Sequence, residues 1–376
     1  MKKSLLALAA LTAFAGVASA QSSVTLFGVV DLAARQVKNG PVGSVKTLSS
    51  DGNAASRLGF RGVEDIGGGM RAGFWLESGL GADTGGVGVP GGAFFNRRAT
   101  VSLLGGFGEL RLGRDYTPTF WNHTVFDPFG TQGVGSANNL IGQSTAASGS
   151  NTTSPMGVLQ GGVVGPAGDP RTLTFVRTDN SIGYFLPAMG GLYGQVMVAA
   201  GENRPGTKYT GGRLGYAAGP INAAVSYGRT YLLLKEMTHA NIGGSFNAGF
   251  ATFSGVYSKF KIENGEPVVG GRDQKNWFAG VVVPLGAGSL KFSYGKVDGK
   301  ITTTAGSRSA TQIAGGYVYD LSKRTSLYTA YSRVKNDGTS GATPGLRFVA
   351  AGNGGAPGAN VGFTSTGYEF GVRHSF

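Results

Sequence analysis

The sequence predicts an all-β protein whose strands close into an antiparallel transmembrane β-barrel of about sixteen strands. Three observations predict this class: apolar and polar residues alternate with a period of two, the alternating segments are about ten residues long, and their number is even. Hydrophobic residues make up 41% of the 376 residues and charged residues 14%, and the mean hydropathy is zero. The apolar residues are therefore spread too thinly for membrane-spanning helices.

Composition also excludes several kinds of chemistry. The chain has no cysteine, which rules out disulfides, thiolate zinc sites, iron–sulfur clusters and thiol nucleophiles. Its three histidines, His123, His239 and His374, stand beside no recognisable serine and acid motif. We therefore predict no catalytic residues, no metal site and no cofactor. The 68 glycines and 14 prolines fall short of the proportion typical of disordered chains.

The first 20 residues are predicted to be a cleaved export signal. Lys2 and Lys3 precede an apolar run from Leu5 to Val17, and a small-x-small site ends at Ala20. The run is too short to anchor the chain in a bilayer. Residues 21–376 then form a single mature domain, and no linker divides it.

Alternation begins directly after the signal. In residues 24–31 the even positions are apolar or glycine and the odd ones end in Asp31; Leu58 and Phe60 oppose Arg57 and Arg61 in the next segment. Such alternation means one dry face and one wet face. The segments predicted as strands are 24–35, 54–64, 70–78, 94–104, 108–114, 172–186, 191–200, 207–217, 221–231, 238–247, 249–262, 273–284, 288–298, 309–319, 324–336 and 366–376.

Connections between these segments alternate between short and long. Residues 65–69 close a hairpin, whereas residues 38–53 form a long excursion before it. Short turns on one rim and long loops on the other are typical of transmembrane barrels. A soluble β-sandwich would also alternate, but this many strands would need two domains or one very large sandwich. Aromatic pairs near segment ends fit interfacial girdles, so the barrel is the favoured interpretation.

One connection is far longer than the rest. Residues 115–170 show no sustained alternation and are rich in Gly, Ser, Asn and Thr. Loops of this length in a compact domain are usually functional or disordered. In a barrel wide enough for an aqueous lumen, such a loop is expected to fold inward and narrow the pore, with an exposed surface loop as the alternative.

The mature chain resembles the trimeric general porins of β-proteobacteria, which have members in Bordetella, Burkholderia, Comamonas and Neisseria, and in particular their anion-selective type. The resemblance covers the whole mature chain. It is carried by SVTLFGVVD at 23–31, SRLGFRGVED at 56–65, GFWLE at 73–77, RRATVSL at 97–103, GELRLGRD at 108–115, NSIGY at 180–184, LSKRT at 321–325 and GVRHSF at 371–376.

This resemblance implies a sixteen-stranded barrel with an infolded third loop, passive diffusion of small hydrophilic solutes and a place in the bacterial outer membrane. It implies a homotrimer whose partners are outer-membrane lipid, lipopolysaccharide and small anionic solutes, with no nucleic acid. Phe376, on the lipid-facing parity of the last segment, is expected to be part of an assembly signal. The loop carries Asp127-Pro128-Phe129-Gly130 where relatives have Pro-Glu-Phe-Gly.

A water-filled pore selects by the charges at its narrowest section. Between residues 57 and 177 the chain has nine arginines and no lysine: Arg57, Arg61, Arg71, Arg97, Arg98, Arg111, Arg114, Arg171 and Arg177. Arginine stays charged and offers a planar fork to carboxylate, sulfate or phosphate groups. Eight acidic residues share this stretch, so selectivity must come from placement and not from net charge.

Parity puts Arg57, Arg61, Arg71 and Arg111 on the polar faces of their strands. Resemblance to anion-selective members points to Arg57, Arg177 and one of the pair Arg97 and Arg98 as the constriction cluster, and parity leaves that pair undecided. Glu77 from the wall and Asp127 from the loop are the predicted acidic counterparts. For Arg61 and Arg114 a rim charge is an equal alternative.

Lysines elsewhere, namely Lys259, Lys261, Lys291, Lys296 and Lys300, are expected to raise the anion concentration at the pore mouths. Two other functions compete with a channel: an outer-membrane barrel enzyme such as a hydrolase, and a non-conducting structural or adhesive barrel. The enzyme would need a nucleophile, a base and an orienting group within reach of one another, and no motif supplies them. The predicted function is therefore a diffusion porin, probed best by conductance and selectivity.

Overall fold

The computed structural model describes residues 23–40, 43–87, 93–141, 175–203, 206–232, 234–263, 271–301, 307–338, 350 and 363–376. The predicted export signal lies outside these residues, as do residues 142–170 of the long connection. No helix within the described ranges is long and apolar enough to cross a membrane.

Within the described ranges, eighteen strands form one antiparallel sheet. They are β1 Ser23–Asn39, β2 Ser44–Ser50, β3 Arg57–Gly67, β4 Met70–Gly81, β5 Gly86–Val87, β6 Arg98–Gly105, β7 Gly108–Tyr116, β8 Arg177–Phe185, β9 Leu192–Ala199, β10 Tyr209–Ala218, β11 Ile221–Tyr231, β12 Glu236–Asn247, β13 Thr252–Ile262, β14 Arg272–Leu285, β15 Gly288–Ile301, β16 Ser307–Asp320, β17 Thr325–Gly338 and β18 Thr364–Ser375.

The sheet closes into a barrel of sixteen strand positions. β1 pairs with β18, which joins the two ends of the chain. β2 and β3 follow one another along β1, so together they occupy one position, and β5 and β6 do the same along β4. The predicted closed antiparallel barrel of sixteen strands is therefore confirmed.

The two rims differ in the length of their connections. On the rim that carries both chain ends, the turns between consecutive strands are short; Gly67, Gly68 and Gly69 adopt positive φ angles there and close the tight β3–β4 hairpin. The other rim carries the long connection between β7 and β8. In outer-membrane barrels short turns face the periplasm and long loops face outward, which orients the barrel.

Side chains alternate across the wall as the sequence predicts. In β13, Val256, Ser258 and Phe260 are buried inside the barrel, while Tyr257 and Lys261 are exposed on its outer face. In β6, Val101 lies outward and half exposed, and Thr100 and Ser102 face inward and are buried. Large apolar residues on the outer face are the expected surface for contact with lipid chains.

The segment after β7 enters the barrel and packs against the far wall. It contains helix α1, Pro118–Phe126, which starts with proline at its first turn, and a short 3₁₀ turn, Ala137–Leu140. Phe126 packs on inward-facing Ala224, Val256 and Phe278 of β11, β13 and β14. The interior is thus filled on the side of β9 to β18 and left open on the side of β3 to β8.

The sequence missed two strands, β2 and the two-residue β5. Residues 44–50 were expected to belong to an excursion, but they pair with Leu32 to Lys38 of β1 as β2. Most of β2 is exposed, because this hairpin extends the wall beyond the lumen. Strand boundaries also differ from the prediction. β6 begins at Arg98 and not near residue 94, and β1 continues to Asn39.

The chain end offers a test of barrel closure. The Phe376 backbone exchanges two hydrogen bonds of 3.0 Å with Gly28, and the Phe376 ring covers the face of that glycine. Deleting Phe376 removes both bonds and the ring, so we expect a several-fold lower yield of folded, heat-modifiable protein in the membrane. Phe376→Tyr keeps the bonds and the ring and serves as the control; equal yields of the deletion and the control would contradict the expectation.

Candidate functional site

The candidate site is a lumen cavity of about 650 Å³. It lies between the open side of the wall, β3 to β8, and the segment inside the barrel, residues 117–141, which we call the inner segment. Arginines line its wall side. The segment contributes an uncharged side, made by Trp121, Thr124, Thr131, Gln132 and Asn138. A solute crossing the barrel here passes a charged face and a polar neutral face.

The upper part of the arginine wall is organised around Glu77 of β4. Its Oε1 lies 2.5 Å from Arg97 Nε and 3.9 Å from Arg57 Nε, and its Oε2 accepts a hydrogen bond of 3.0 Å from Trp75 Nε1. The Arg57 side chain is 30% exposed against 17% for Arg97. Arg57 is therefore the guanidinium more open to solutes.

Tyr116 at the end of β7 joins two further guanidinium groups. Its phenol oxygen accepts hydrogen bonds from Arg97 Nη2 at 2.8 Å and from Arg177 Nη2 at 2.6 Å. The Arg177 guanidinium also lies 4.3 Å from the centre of the Tyr116 ring. The sequence assigns Tyr116 no role in the site, and its position at the end of a strand that carries Arg111 and Arg114 is the available signal.

The structure thus brings Arg57, Arg97 and Arg177 together around Glu77 and Tyr116. Their formal charges sum to +2, since three guanidinium groups face one carboxylate. Each of the three arginines comes from a different element. Arg57 is the first residue of β3, Arg97 directly precedes β6, and Arg177 is the first residue of β8. In the wall these three strands alternate with β4 and β7, and their long-loop ends meet at the level where the inner segment narrows the lumen.

A second group of arginines lies nearer the short-turn rim. Arg98 lies 3.7 Å from Asp115 and 4.5 Å from the centre of the Trp75 ring, whereas Arg111 lies 2.8 Å from Glu109 and 2.5 Å from Asp115. Arg61 lies 5.1 Å from Trp75 and extends the row. All three line a cavity of about 370 Å³ below the first.

Arg97 and Arg98 both face the lumen, although they are consecutive. Arg98 is the first residue of β6 and pairs with Glu77 in the register, so its side chain points inward at the lower level. Arg97 precedes the strand and its backbone N–H still bonds to the Glu77 carbonyl at 3.1 Å. The alternation of inward and outward side chains along β6 ends between these two residues. Parity therefore could not decide which of the two arginines faces the lumen.

Arg114 is neutralised away from both cavities. Its Nη1 lies 2.5 Å from Asp179, and its Nε donates to the Asn96 carbonyl at 2.7 Å. Irregular pairing of β7 with β8 near Gly113 turns Arg114 out of the alternation. Arg171 lies outside the described residues.

Asp127 does not join the arginines. It is buried within the inner segment, and its carboxylate accepts backbone hydrogen bonds of about 3 Å from Phe129, Thr131 and Ala137. Burial raises the pKa of the Asp127 carboxyl, although these N–H groups favour its charged form. The carboxylate therefore holds the fold of the segment, and it borders a separate cavity that Lys291 also lines.

Two buried contacts fix the inner segment to the barrel. The Glu369 carboxylate of β18 accepts bonds from the Val134 backbone N–H at 3.0 Å and from Arg35 Nε at 2.9 Å. At the other end of the segment, Asn122 of α1 donates to Asn241 at 2.7 Å and accepts from Arg213 at 2.6 Å. No local pattern in the sequence predicts either contact, because each joins residues far apart in the chain.

A histidine pair adds to the second contact. His123 of α1 and His239 of β12 lie with their Nε2 atoms 3.3 Å apart, and Asn241 Nδ2 donates to His239 Nε2 at 3.1 Å. Since that nitrogen is an acceptor, His123 Nε2 must carry the proton and donate. Phe175 and Phe260 enclose the pair, and burial lowers the pKa of His123 to about 3.

No group of three or more His, Cys, Asp or Glu side chains suited to hold a metal ion occurs in the described ranges. Of the five lysines expected at the pore mouths, only Lys291 faces inward. Lys259, Lys261, Lys296 and Lys300 lie on the outer face of the wall, because the buried residues of β13 and β15 take the alternate positions. The expectation that these four charge the mouths is corrected accordingly.

Comparison with known proteins places this geometry in context. A family model described as Gram-negative porin matches residues 7–339. The chain is 36% identical to outer membrane porin protein 32 of Delftia acidovorans, with 100% of each chain covered. It is 29% identical to an outer membrane porin of Bordetella pertussis, with 89% of this chain and 95% of the relative covered.

Solved structures agree. An anion-selective porin from Comamonas acidovorans superposes with a TM-score of 0.75 at 32% identity, covering 95% of this chain and 100% of the other. The trimer form of OmpT of Vibrio cholerae superposes with a TM-score of 0.63 at 15% identity, covering 94% and 99%, which shows the likeness of fold alone.

Asp127→Asn tests the internal anchor of the inner segment. An amide replaces one acceptor oxygen by a donor and leaves a buried backbone N–H unpaired, at a cost of about 1–3 kcal/mol. We expect the segment to loosen, so that single-channel recordings show higher mean conductance and more frequent fluctuation. Asp337→Asn, on the exposed outer face, is the control; identical traces for both variants would show that Asp127 does not hold the segment.

The histidine pair predicts a dependence of stability on pH. Because the pKa of His123 lies below the 6.5 of an unfolded chain, its neutral form stabilises the fold above pH 6.5, and this contribution is lost as the pH falls toward 3. The loss by pH 4 is on the order of 3 kcal/mol. Thermal unfolding followed by tryptophan fluorescence should show a weaker pH dependence in His123→Gln. An unchanged dependence would assign the effect to other groups.

Proposed function

The chain belongs to the Gram-negative porin family and is an outer-membrane channel, not an enzyme, and we propose that its arginine wall makes the pore selective for small anions. The observation that carries the proposal is the convergence of Arg57, Arg97 and Arg177 on one carboxylate, Glu77. One relative of known structure, from Comamonas acidovorans, is an anion-selective porin.

The upper cluster acts as the selectivity element. Two unit charges about 4 Å apart interact by about 1 kcal/mol in water and by several times more beside protein walls. The cluster around Glu77 has a net charge of +2, and the five arginines and two carboxylates that line the cavity, Glu77 and Asp51, sum to +3. The narrowing therefore repels cations and attracts anions. Because the side facing the arginines carries no charge, the field is not cancelled across the lumen.

The lower row extends the path. Arg98, Arg111 and Arg61 border the next cavity, where Glu109 and Asp115 reduce their net charge to +1. An anion leaving the upper cluster meets a weaker positive site and passes on. Weak sequential binding of this kind is what conduction requires, since one deep site would trap the solute.

The remaining features of the proposal concern assembly. We propose a homotrimer, in keeping with the family, with residues 1–20 removed on export. The solutes are small organic acids, phosphate or chloride, whose carboxylate or phosphate oxygens suit a guanidinium fork. Phe376 is proposed to act in assembly through its place at the seam between the two chain ends.

Zero-current potentials across a planar bilayer in a KCl gradient test the selectivity. The native channel should prefer chloride. Arg57→Ser removes the most exposed of the three guanidinium groups and should lower the anion preference by about two- to fivefold, whereas Glu77→Gln should raise it. Both effects should shrink in 1 M salt, where the Debye length is about 3 Å.

Arg229→Ser is the matched control, because Arg229 is exposed on the outer face of β11 and paired with Glu236. The anion preference of this control variant should equal that of the native channel. A cation-selective native channel would overturn the proposed selectivity while leaving the membership of the family intact. A native preference for anions that Arg57→Ser and Arg177→Ser both leave unchanged would move the selectivity away from this cluster.

A further inference from the structure

The lumen cavity that the arginines line is also lined by aromatic rings. Phe27 and Trp75 belong to the wall, Tyr116 ends β7, and Phe120 and Trp121 lie on α1. An aromatic ring has no net charge, so selection between anions and cations does not require these rings. Small-molecule sites, by contrast, typically combine aromatic surface with a few polar groups that orient the ligand. The rings therefore bear on which anions the cavity favours.

Three of the rings already have a guanidinium group over them. The distances from guanidinium carbon to ring centre are 4.5 Å for Arg98 and Trp75, 4.3 Å for Arg177 and Tyr116, and 5.3 Å for Arg61 and Phe27. A cation in this position uses the negative face of the ring. These rings therefore hold the arginines in place and offer little free surface to a solute.

The two rings of α1 differ, because within the described ranges no guanidinium or ammonium group lies over either of them. Phe120 is only 5% exposed and packs on Phe175 in a buried cluster. Trp121 is half-buried and lines the cavity, with the Tyr116 ring 5.2 Å away. Its buried Nε1–H has no acceptor among the described residues, so no hydrogen bond fixes the ring. Trp121 thus supplies the free aromatic surface.

Tyr116 shows how far this surface lies from the guanidinium groups. Its phenol oxygen accepts hydrogen bonds from Arg97 and Arg177, and its ring lies against Phe120 and Trp121. The two arginines are therefore separated from Trp121 by about the length of one phenol. An aromatic carboxylate has the same form, with oxygen acceptors at one end and a flat ring at the other.

We propose that the cavity favours aromatic carboxylates, with the solute carboxylate on Arg57 and its ring against Trp121. This inference rests on the proposed anion selectivity of the same site. Arg57 is more exposed than Arg97, and a guanidinium fork suits a carboxylate. The cavity volume of about 650 Å³ lies within the range of small-molecule sites, about 300–1,000 Å³.

The contribution of the ring contact has to be small if the solute is to pass. A pair of aromatic rings gains an amount beyond simple burial that corresponds to about two- to tenfold in affinity. This is enough to favour an aromatic acid over an aliphatic acid of the same size. It is too little to trap the solute, since conduction needs weak binding.

Zero-current potentials under bi-ionic conditions test the inference. Planar bilayers that contain the native channel separate sodium benzoate from sodium cyclohexanecarboxylate, which have the same charged group and nearly the same size. The channel should be about two- to tenfold more permeable to benzoate. Cyclohexanecarboxylate is the more apolar of the two, so burial alone would favour the opposite order.

Three variants assign the preference to one ring. Trp121→Leu replaces the ring by an aliphatic side chain, so the permeability ratio should fall to about one, whereas Trp121→Phe keeps a ring and should retain most of the preference. Trp277→Leu removes an exposed tryptophan on the outer face and is the matched control, with the native ratio expected.

Two results would overturn the inference: a native ratio near one, and a native preference that Trp121→Leu leaves unchanged. The native ratio is measured without any substitution, so the inference can fail even where Trp121→Leu does not fold.

A KCl gradient separates this inference from the proposed charge selectivity. None of the tryptophan variants removes a charge, so each should keep the native preference for chloride. A chloride-selective native channel with a benzoate ratio near one would contradict the aromatic preference alone, whereas a cation-selective native channel would overturn both. A loss of chloride preference in Trp121→Leu would show that Trp121 holds the inner segment and would contradict its role as a contact for the solute.

Discussion

The whole architecture depends on pairing every backbone hydrogen-bonding group without help from water. Inside a bilayer an unpaired N–H or C=O costs several kcal/mol, so a sheet can cross only if it has no edge. Here the β1–β18 seam removes the edge, and the hydrogen bonds between Phe376 and Gly28 continue it to the last residue. Once the wall is closed, alternation alone assigns each side chain to lipid or lumen. Both the arginine wall and the outward position of Lys259 and Lys261 follow from that assignment.

The inner segment narrows the lumen of the barrel and makes it asymmetric. It lies against β9 to β18, held by Glu369 at one end and by Asn122 and His123 at the other. The open lumen is thereby displaced toward the strands that carry the arginines. Charges that would be diluted at the centre of a symmetric barrel instead border the path directly.

The sequence predicted the repeating strands of the wall well, and it predicted poorly the features that occur once, such as β2 and the contacts of the inner segment. All sixteen strand positions were predicted, because a period of two is imposed by the pleat and survives in every strand. β2 was missed because its seven residues are mostly exposed and show no dry face.

The candidate site divides in the same way. Arg57 and Glu77 follow from parity, but the place of Arg97 depends on where regular pairing begins, and that of Asp127 on a local turn. The meeting of His123 with His239 joins parts of the chain that no local pattern connects.

Tyr116 shows how like charges are packed without being cancelled. Arg97 and Arg177 share one phenol oxygen, so the two cations are held in place by a neutral group. Had a carboxylate filled that role, the same bonds would have removed half of the net charge of the cluster. A carboxylate at position 116 would therefore weaken the attraction for anions while every arginine remains in the chain.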